Sequence, residues 1–386
     1  MSLTTWPHPA APTLVSLLPS VIDRYDARQS TLFATGEHTL LTQGRQALIT
    51  GELSTLAQRV AATLTSDLLT AGSIAAGAVS FDGAAQLIVP RSAEWAGPLQ
   101  APADRGPCPA WRIRPMPAEQ DYLKAVRGAL QRIADGTLTK AVLARSLELS
   151  AEAPIDTRTL LINLIGRGSY VFGVPLPGER TLIGASPELL VSRYGRDVVA
   201  HPLAGSAARS ADPATDRQRA HDLRRSAKDL REHRVVIEAV AEALRPYCSD
   251  LSVPRTPSLV ATPTMWHLGT RVTGEIADLC LSSLTLAAAL HPTPAVCGTP
   301  TAAARTAIDE LEEFDRGFYA GLVGWTDASG DGEWALTIRC AEVASDTLRL
   351  FAGAGIDAGS IPEAELAETS AKCQTMLQAL GVHASL

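Results

Sequence analysis

The sequence predicts a mixed α+β fold, and three observations carry that expectation. Apolar alternation of strand type comes in consecutive groups. Segments with apolar residues three and four apart stand between the groups, not after every strand. No segment recurs at a fixed period, so neither a solenoid nor a regular doubly wound sheet is expected. At 386 residues, 46% apolar and 19% charged, the chain can bury a sizeable core and has an ordinary globular composition.

The elements follow in chain order. Residues 1–117 are uneven, because Pro, Gly and Ala interrupt them repeatedly. Within them GSIAAGAVSF and AAQLIVP read as strands, and RSAEWAGPLQAPADRGPCPA reads as a loop or linker. From Pro117 the pattern sharpens. PAEQDYLKAVRGALQRIADG carries Leu123, Val126, Leu130 and Ile133 at helical spacing and is closed by a glycine. KAVLARSLELS alternates like a strand, TRTLLINLIG reads as a helix, and YVFGVPL, RTLIGAS and the pair around VSRYGRDVVAHPLAG read as strands. HDLRRSAKDLREHRVVIEAVAEALRPYC is the longest helical candidate, expected as one element ending near Pro246. Strands in SLVATPTMWHLGTRVTGEI precede a helix in LSSLTLAAALH. TAAARTAIDELEEFD and EAELAETSAKCQTMLQALG are helical, and the stretch from Tyr319 to Ile356 between them predicts three strands with two hairpin turns.

Net charge is −7 with no long basic run, which argues against nucleic acid and acidic membrane surfaces as partners. No apolar stretch is long enough to span a bilayer, and the first twenty residues lack a basic region followed by an apolar block, so no signal peptide is expected. The six cysteines (Cys108, Cys248, Cys280, Cys297, Cys340, Cys373) form no CxxC, a pattern that suits a reducing, cytoplasmic compartment and not a zinc ribbon.

Several residues could carry chemistry. In KDLREH, Asp229 and Glu232 stand one helical turn apart, and Glu365 and Glu368 repeat the spacing in ELAETSAK. Such pairs are common on solvated helix faces. Two helices each offering a pair could also meet across a cleft and hold a hard divalent cation. In GASPELLV a tight turn delivers Glu188 beside apolar residues, where desolvation favours the protonated form that a general acid needs. Taken alone, Glu188 more often caps such a turn or pairs with an arginine. Lys140 opens its strand, either exposed or facing a cleft with a lowered pKa as a base. HPLAGSAARS and FAGAGI are glycine turns whose backbone N–H groups could approach an anion. GxxxxGK[ST], GxGxxG and GxSxG are all absent. Arg339, mid-strand among apolar neighbours, needs an anionic partner from the protein or from a substrate. HPTPAVCGTP is a stiff loop that could wall a pocket, and His267 alone reads as a core histidine.

Taken together and in order, KAVLARS, GASPELLVSR, HPLAGSAARS, KDLREHRVV, MWHLGTRV, HPTPAVCGTP, FDRGFYAGLVGW, LTIRCAEV, FAGAGI and ELAETSAK resemble the chorismate-utilising enzymes, the family of isochorismate, salicylate and anthranilate synthases. The likeness covers roughly residues 118–380 and is loose before that. It implies a single large domain over 1–386, with a variable part (1–117) and a catalytic part (118–380), built as two packed, mostly antiparallel sheets flanked by helices. It implies Mg²⁺ held by Glu232 and Glu368, with Asp229 and Glu365 in support. It implies Glu188 as general acid and Lys140 as general base. Gly205, Ser206, His267, Ala295, Tyr319, Arg339, Gly353, Gly355 and Lys372 would line the chorismate site.

Within the family, ammonia-using members carry glutamine where Lys140 stands and rely on a glutaminase partner, so the likeness implies water as nucleophile and no such subunit. One type of aminodeoxychorismate synthase has a nucleophilic lysine where this chain has Ala204, and salicylate synthases typically have threonine where it has Ala295. The likeness therefore implies an isochorismate synthase, feeding dihydroxybenzoate siderophores or menaquinone. A salicylate synthase and a non-catalytic chorismate-binding relative are the alternatives.

Overall fold

The structure is a computed structural model that describes residues 20–66, 73–101 and 109–382. The first nineteen residues, Cys108 and part of the expected linker fall outside the described residues.

Antiparallel pairing builds two large sheets and a small third one. The ten-stranded sheet runs Gly298–Thr299, Lys140–Ser150, Thr347–Ile356, Cys340–Ala344, Arg180–Ser186, Tyr170–Leu176, Ser30–Ala34, Thr39–Gln43, Ser92–Ala96, with Arg112–Met116 also paired on Lys140–Ser150. The nine-stranded sheet runs Cys248–Ser252, Val272–Ile276, Asp197–His201, Leu189–Tyr194, Gly332–Leu336, Leu322–Asp327, Ile74–Val79, Ala84–Val89, Ala47–Glu52. The third sheet is Leu203–Ala208, Met265–Gly269, Ser258–Ala261. Strands that precede Pro117 thus lie in both large sheets.

The main core brings both sheets together. Phe33, Leu40 and Phe172 of the larger sheet share one buried cluster with Leu87, Leu322 and Trp334 of the other. A second cluster covers the opposite face of the larger sheet, where Leu147 and Leu350 meet Met376 and Leu377 of the Pro362–Ala379 helix. Lys140–Ser150 is therefore covered on both faces, which is why nearly all of its residues are buried, Lys140, Arg145 and Ser146 among them. Each such side chain stabilises the fold by roughly 1.5–3 kcal/mol relative to exposure.

Four expectations need correction. The long helical candidate is two helices, Pro213–Arg225 and Ala227–Leu244. Ser226 between them is extended, and its hydroxyl accepts the Asp229 N–H, so it starts the second helix as an N-cap. The stretch from Tyr319 to Ile356 holds four strands, because Arg339 adopts a left-handed φ of +51° and the chain changes sheets there. SAEWA, expected in a loop, is the edge strand Ser92–Ala96, mostly exposed and so without an apolar alternation. The helix Leu53–Leu64 and the strand Cys248–Ser252 lie where no element was expected.

Candidate active site

The site is assembled where the chain passes from one sheet to another. At residues 187–188 it leaves the ten-stranded sheet for the nine-stranded one. At residues 337–339 it returns, and at Pro202 it enters the small sheet. These crossings are bonded to one another. The Ala185 N–H donates to the Arg339 carbonyl (3.0 Å), and the Leu336 N–H donates to the Glu188 carbonyl (3.2 Å). The Leu203 N–H donates to Glu188 Oε1 (3.2 Å).

Glu188 is 3% exposed. Burial pushes its carboxyl up to about 7, although the Leu203 N–H and the charges of Arg339, Lys140 and Lys372 pull it partway back. Near neutrality it can therefore hold a proton and give it up.

The Ala227–Leu244 and Pro362–Ala379 helices bring their acidic pairs to the same region. Glu232 and Glu368 line the cavity, while Asp229 and Glu365 stand behind them. Each of three carboxylates is ion-paired: Lys140 Nζ to Glu232 Oε1 at 2.8 Å, Lys372 Nζ to Glu368 Oε1 at 2.6 Å, and Lys228 Nζ to Glu365 Oε1 at 3.2 Å. Burial alone would raise the Glu232 carboxyl, but Lys140, through charge and hydrogen bond, together with the charges of Lys372 and Lys228 outweighs it and the net shift is downward. Asp229 and Glu365 are shifted up, first by burial and then by neighbouring carboxylates, Glu368 among them in both cases. Among the described residues no three His, Cys, Asp or Glu side chains converge closely enough to hold an ion by themselves. Two cavity-facing carboxylates nevertheless fit Mg²⁺, which commonly takes one or two from protein and the rest from water or substrate oxygens.

Glycine is required where backbone and charge crowd together. A Cβ on Gly355 would lie 2.7 Å from Glu232 Oε1 and 2.9 Å from Lys140 Cε. Gly205 (φ +79°) lets its strand approach the acidic helix, where a Cβ in its place would stand only 3.0 Å from Asp229 Cβ.

The opposite wall is cationic and polar. Arg339 is buried, and its guanidinium makes no hydrogen bond or ion pair among the described residues. Its left-handed backbone is unusual for a bulky residue, a strain of the kind that collects at binding sites. His267 lies across from Ser206 in the small sheet, and its Nε2 has no partner among the described residues. Burial, with Arg339 and Lys372 nearby, pushes His267 well below its ordinary value and keeps it neutral. Tyr319, stacked on Phe351 at 5.2 Å, is held as a phenol by burial. Lys372 also donates to the Gly353 carbonyl (2.9 Å).

The cavity thus gathers Glu188, Gly205, Ser206, Glu232, His267, Ala295, Tyr319, Arg339, Gly353, Gly355, Glu368 and Lys372, all singled out in the sequence. Lys140 does not line it directly. Its ammonium sits at the edge, behind Glu232. The apolar lining of Val142, Leu203, Val296 and Ile338 was not singled out, since apolar residues beside motifs give no signal of their own.

Known proteins resemble the chain in sequence and in fold. The family model for chorismate binding enzymes matches residues 103–381. Isochorismate synthase DhbC of Bacillus subtilis is 52% identical over 346 residues, 86% of this chain and 87% of that one. The vibriobactin-specific isochorismate synthase of Vibrio cholerae is 47% identical over 268 residues, 69% of this chain and 68% of that one. A crystal structure of DhbC from Bacillus anthracis, described as a putative 2,3-dihydroxybenzoate-specific isochorismate synthase, superposes with a TM-score of 0.90 at 47% identity, covering 94% of this chain and 99% of that one.

Proposed function

The chain belongs to the chorismate-binding enzymes, and from that premise we propose that it is an isochorismate synthase, an isomerase acting on chorismate for dihydroxybenzoate-type siderophore synthesis. The observation that carries the reading is the buried Glu188 carboxyl, poised near 7 in the same cavity as the unpaired guanidinium of Arg339. The likeness to enzymes named isochorismate synthase supports it.

The reaction adds water at C2 of chorismate, shifts the ring double bonds and expels the C4 hydroxyl. Arg339, Lys372, Tyr319 and the amides around Gly205 and Gly353 bind the carboxylates of the dianion. His267 and Ser206 offer neutral polar contacts, and Ala295 leaves room beside the ring. Lys140, in its neutral form and released from Glu232, takes a proton from the attacking water as the C2–O bond forms. Glu188 gives a proton to the C4 oxygen as the C4–O bond breaks, so that water departs. Proton exchange with solvent then restores both groups. Each positioned transfer is worth roughly 10²–10⁴ in rate. Mg²⁺ held by Glu232 and Glu368, with Asp229 and Glu365 in support, would supply positive charge for a substrate carboxylate and compete with Lys140 and Lys372 for the two ligands.

The chain is read as one catalytic domain, since strands before Pro117 run in the same sheets as those after it. With Lys140 where ammonia-using relatives carry glutamine, no glutaminase subunit is needed. No helix of the described residues is long and apolar enough to cross a membrane, and the five described cysteines are free, which suits a cytoplasmic location. The deciding experiment incubates purified protein with chorismate and Mg²⁺ and separates the products by HPLC. Isochorismate is expected, and its formation should stop with EDTA. Salicylate with released pyruvate would move the reading to a lyase, and unchanged chorismate would end it.

A further inference from the structure

The strand that carries Lys140 has two partners along one edge. Gly298–Thr299 pairs with Lys140 and Ala141, and Arg112–Met116 pairs from Ser146 onward. Between them, at residues 142–144, no strand of the described residues covers that edge. The Val142 N–H still reaches the Cys297 carbonyl (2.8 Å). Two of the remaining backbone groups are met by one ion pair. Arg316 Nη2 donates to the Val142 carbonyl (2.6 Å), and Glu312 Oε1 accepts from the Ala144 N–H (2.7 Å). Arg316 Nη1 donates to the Val296 carbonyl (2.9 Å), and its Nε and Nη2 both bond the Glu312 carboxylate. The two side chains are 3% and 2% exposed, and the guanidinium lies 4.5 Å from the ring centroid of Phe81, a residue of the N-terminal part.

We infer that Glu312 and Arg316 are positioning residues for the reaction, acting as a side-chain substitute for the missing strand. Neither lines the substrate cavity, but Val142 and Val296, whose carbonyls Arg316 holds, do. Val142 is two residues from Lys140, and Val296 follows Ala295 in the 291–300 loop. The pair therefore sets the spacing between the base-bearing strand and the loop that faces the substrate ring. Stability alone does not account for it, because a buried ion pair gains little over a well-packed apolar pair. Three backbone groups held in fixed directions are a geometric function that an apolar pair cannot perform. Phe81 gives the N-terminal part a role in the same device.

This rests on the reading of Lys140 as the base. Arg316→Lys keeps the charge but can reach only part of this set of acceptors. It is expected to fold, to keep Mg²⁺ affinity by calorimetry and the chorismate KM within about threefold, and to lower kcat by about 10- to 100-fold, since small misplacements of reacting groups are that costly. Hydrogen exchange at the Val142 and Ala144 amides should speed up. If Arg316→Lys does not fold, Phe81→Leu, which removes only the aromatic support, is read with the same expectations at reduced amplitude. A folded variant with a lowered Tm but kcat within twofold of wild type overturns the inference, as does unchanged exchange at those two amides. Failure of the functional reading is separate: wild-type protein would then convert no chorismate, and the exchange rates would still test the clip.

Discussion

Replacing Glu188 with glutamine should slow turnover by orders of magnitude and, at alkaline pH, make the protein more stable. The carboxyl has an ordinary value near 4.5 and a folded value of about 7, so the folded state holds its proton more tightly than the unfolded state does. Below about pH 4.5 both states are protonated and Glu188 costs the fold nothing in this respect. As pH rises towards 7 the unfolded carboxyl ionises freely while the folded one resists, and stability falls across that window. Above pH 7 the loss levels off at about 3 kcal/mol, because each pH unit of separation is worth about 1.4 kcal/mol. With an unfolding entropy of about 2.1 cal/mol/K per residue, a chain of this length should lose about 4 °C in Tm. Calorimetric melting of wild type and Glu188→Gln between pH 4 and pH 9, in EDTA and without substrate, reads this out. Glutamine adds a constant offset of its own, so the quantity of interest is how the two curves diverge. They should run parallel at the acid end and separate by about 4 °C above pH 8, with the variant more stable. In the same preparation kcat should fall by roughly 10²–10⁴, and wild-type kcat/KM should decline on the alkaline side of about pH 7. Parallel melting curves throughout, or a variant within tenfold of wild-type kcat, would refute the reasoning.

Three further outcomes are expected. Lys140→Met removes the cation from half-buried Glu232, so the metal-free protein should lose about 1–3 kcal/mol, and Mg²⁺ should raise Tm more in the variant than in wild type; equal gains would count against Glu232 as a ligand. Gly355→Ala places a methyl group 2.7 Å from Glu232 Oε1 and 2.9 Å from Lys140 Cε, so kcat should fall at least about 100-fold with little loss of secondary structure by circular dichroism. Ser226→Ala removes the cap of the helix that carries Asp229 and Glu232 and should cost about 1 kcal/mol, seen as a drop of about 1 °C in Tm by scanning calorimetry.

Much of the site was legible because its residues break local rules. Glu188 stands out as a carboxylate delivered by a Gly-Ala-Ser-Pro turn into an apolar run, and Arg339 as a cation in a stretch that reads as a strand, although the structure puts it in the crossing between two strands. Their partners were not legible, because they are remote in sequence. Lys140 meets Glu232 across 92 positions, and nothing in either segment names the other. Glu312 and Arg316 were not singled out. Four residues apart in the polar run LEEFDRG, they look like a solvated pair, and only the uncovered strand edge draws them inside. Ser226 was hidden within a polar helical stretch, where a cap and a surface serine look alike. The sheet change at residues 337–339 is hidden in LTIRCAEV, which reads as one strand, and the turn at residues 184–187 does not say that the chain changes sheets there.

Those sheet changes explain why the reactive groups lie where they do. Inside a sheet, backbone N–H and C=O groups are committed to the ladder, and side chains alternate between two packed faces. At a crossing neither constraint holds, so a carboxyl can be buried against a single N–H, as Glu188 is against Leu203, and a guanidinium can be buried with no acceptor among the described residues, as Arg339 is. Both are costly in an ordinary core. Here the crossings are bonded to one another, Ala185 to Arg339 and Leu336 to Glu188, so the backbone around the unsatisfied groups is fixed even though the groups themselves are not. A rigid frame around deliberately unpaired charge is what recognition of a dianion and paired proton transfer require. The fold therefore does not merely carry the site: the seam between its sheets is where these side chains can stay both buried and free.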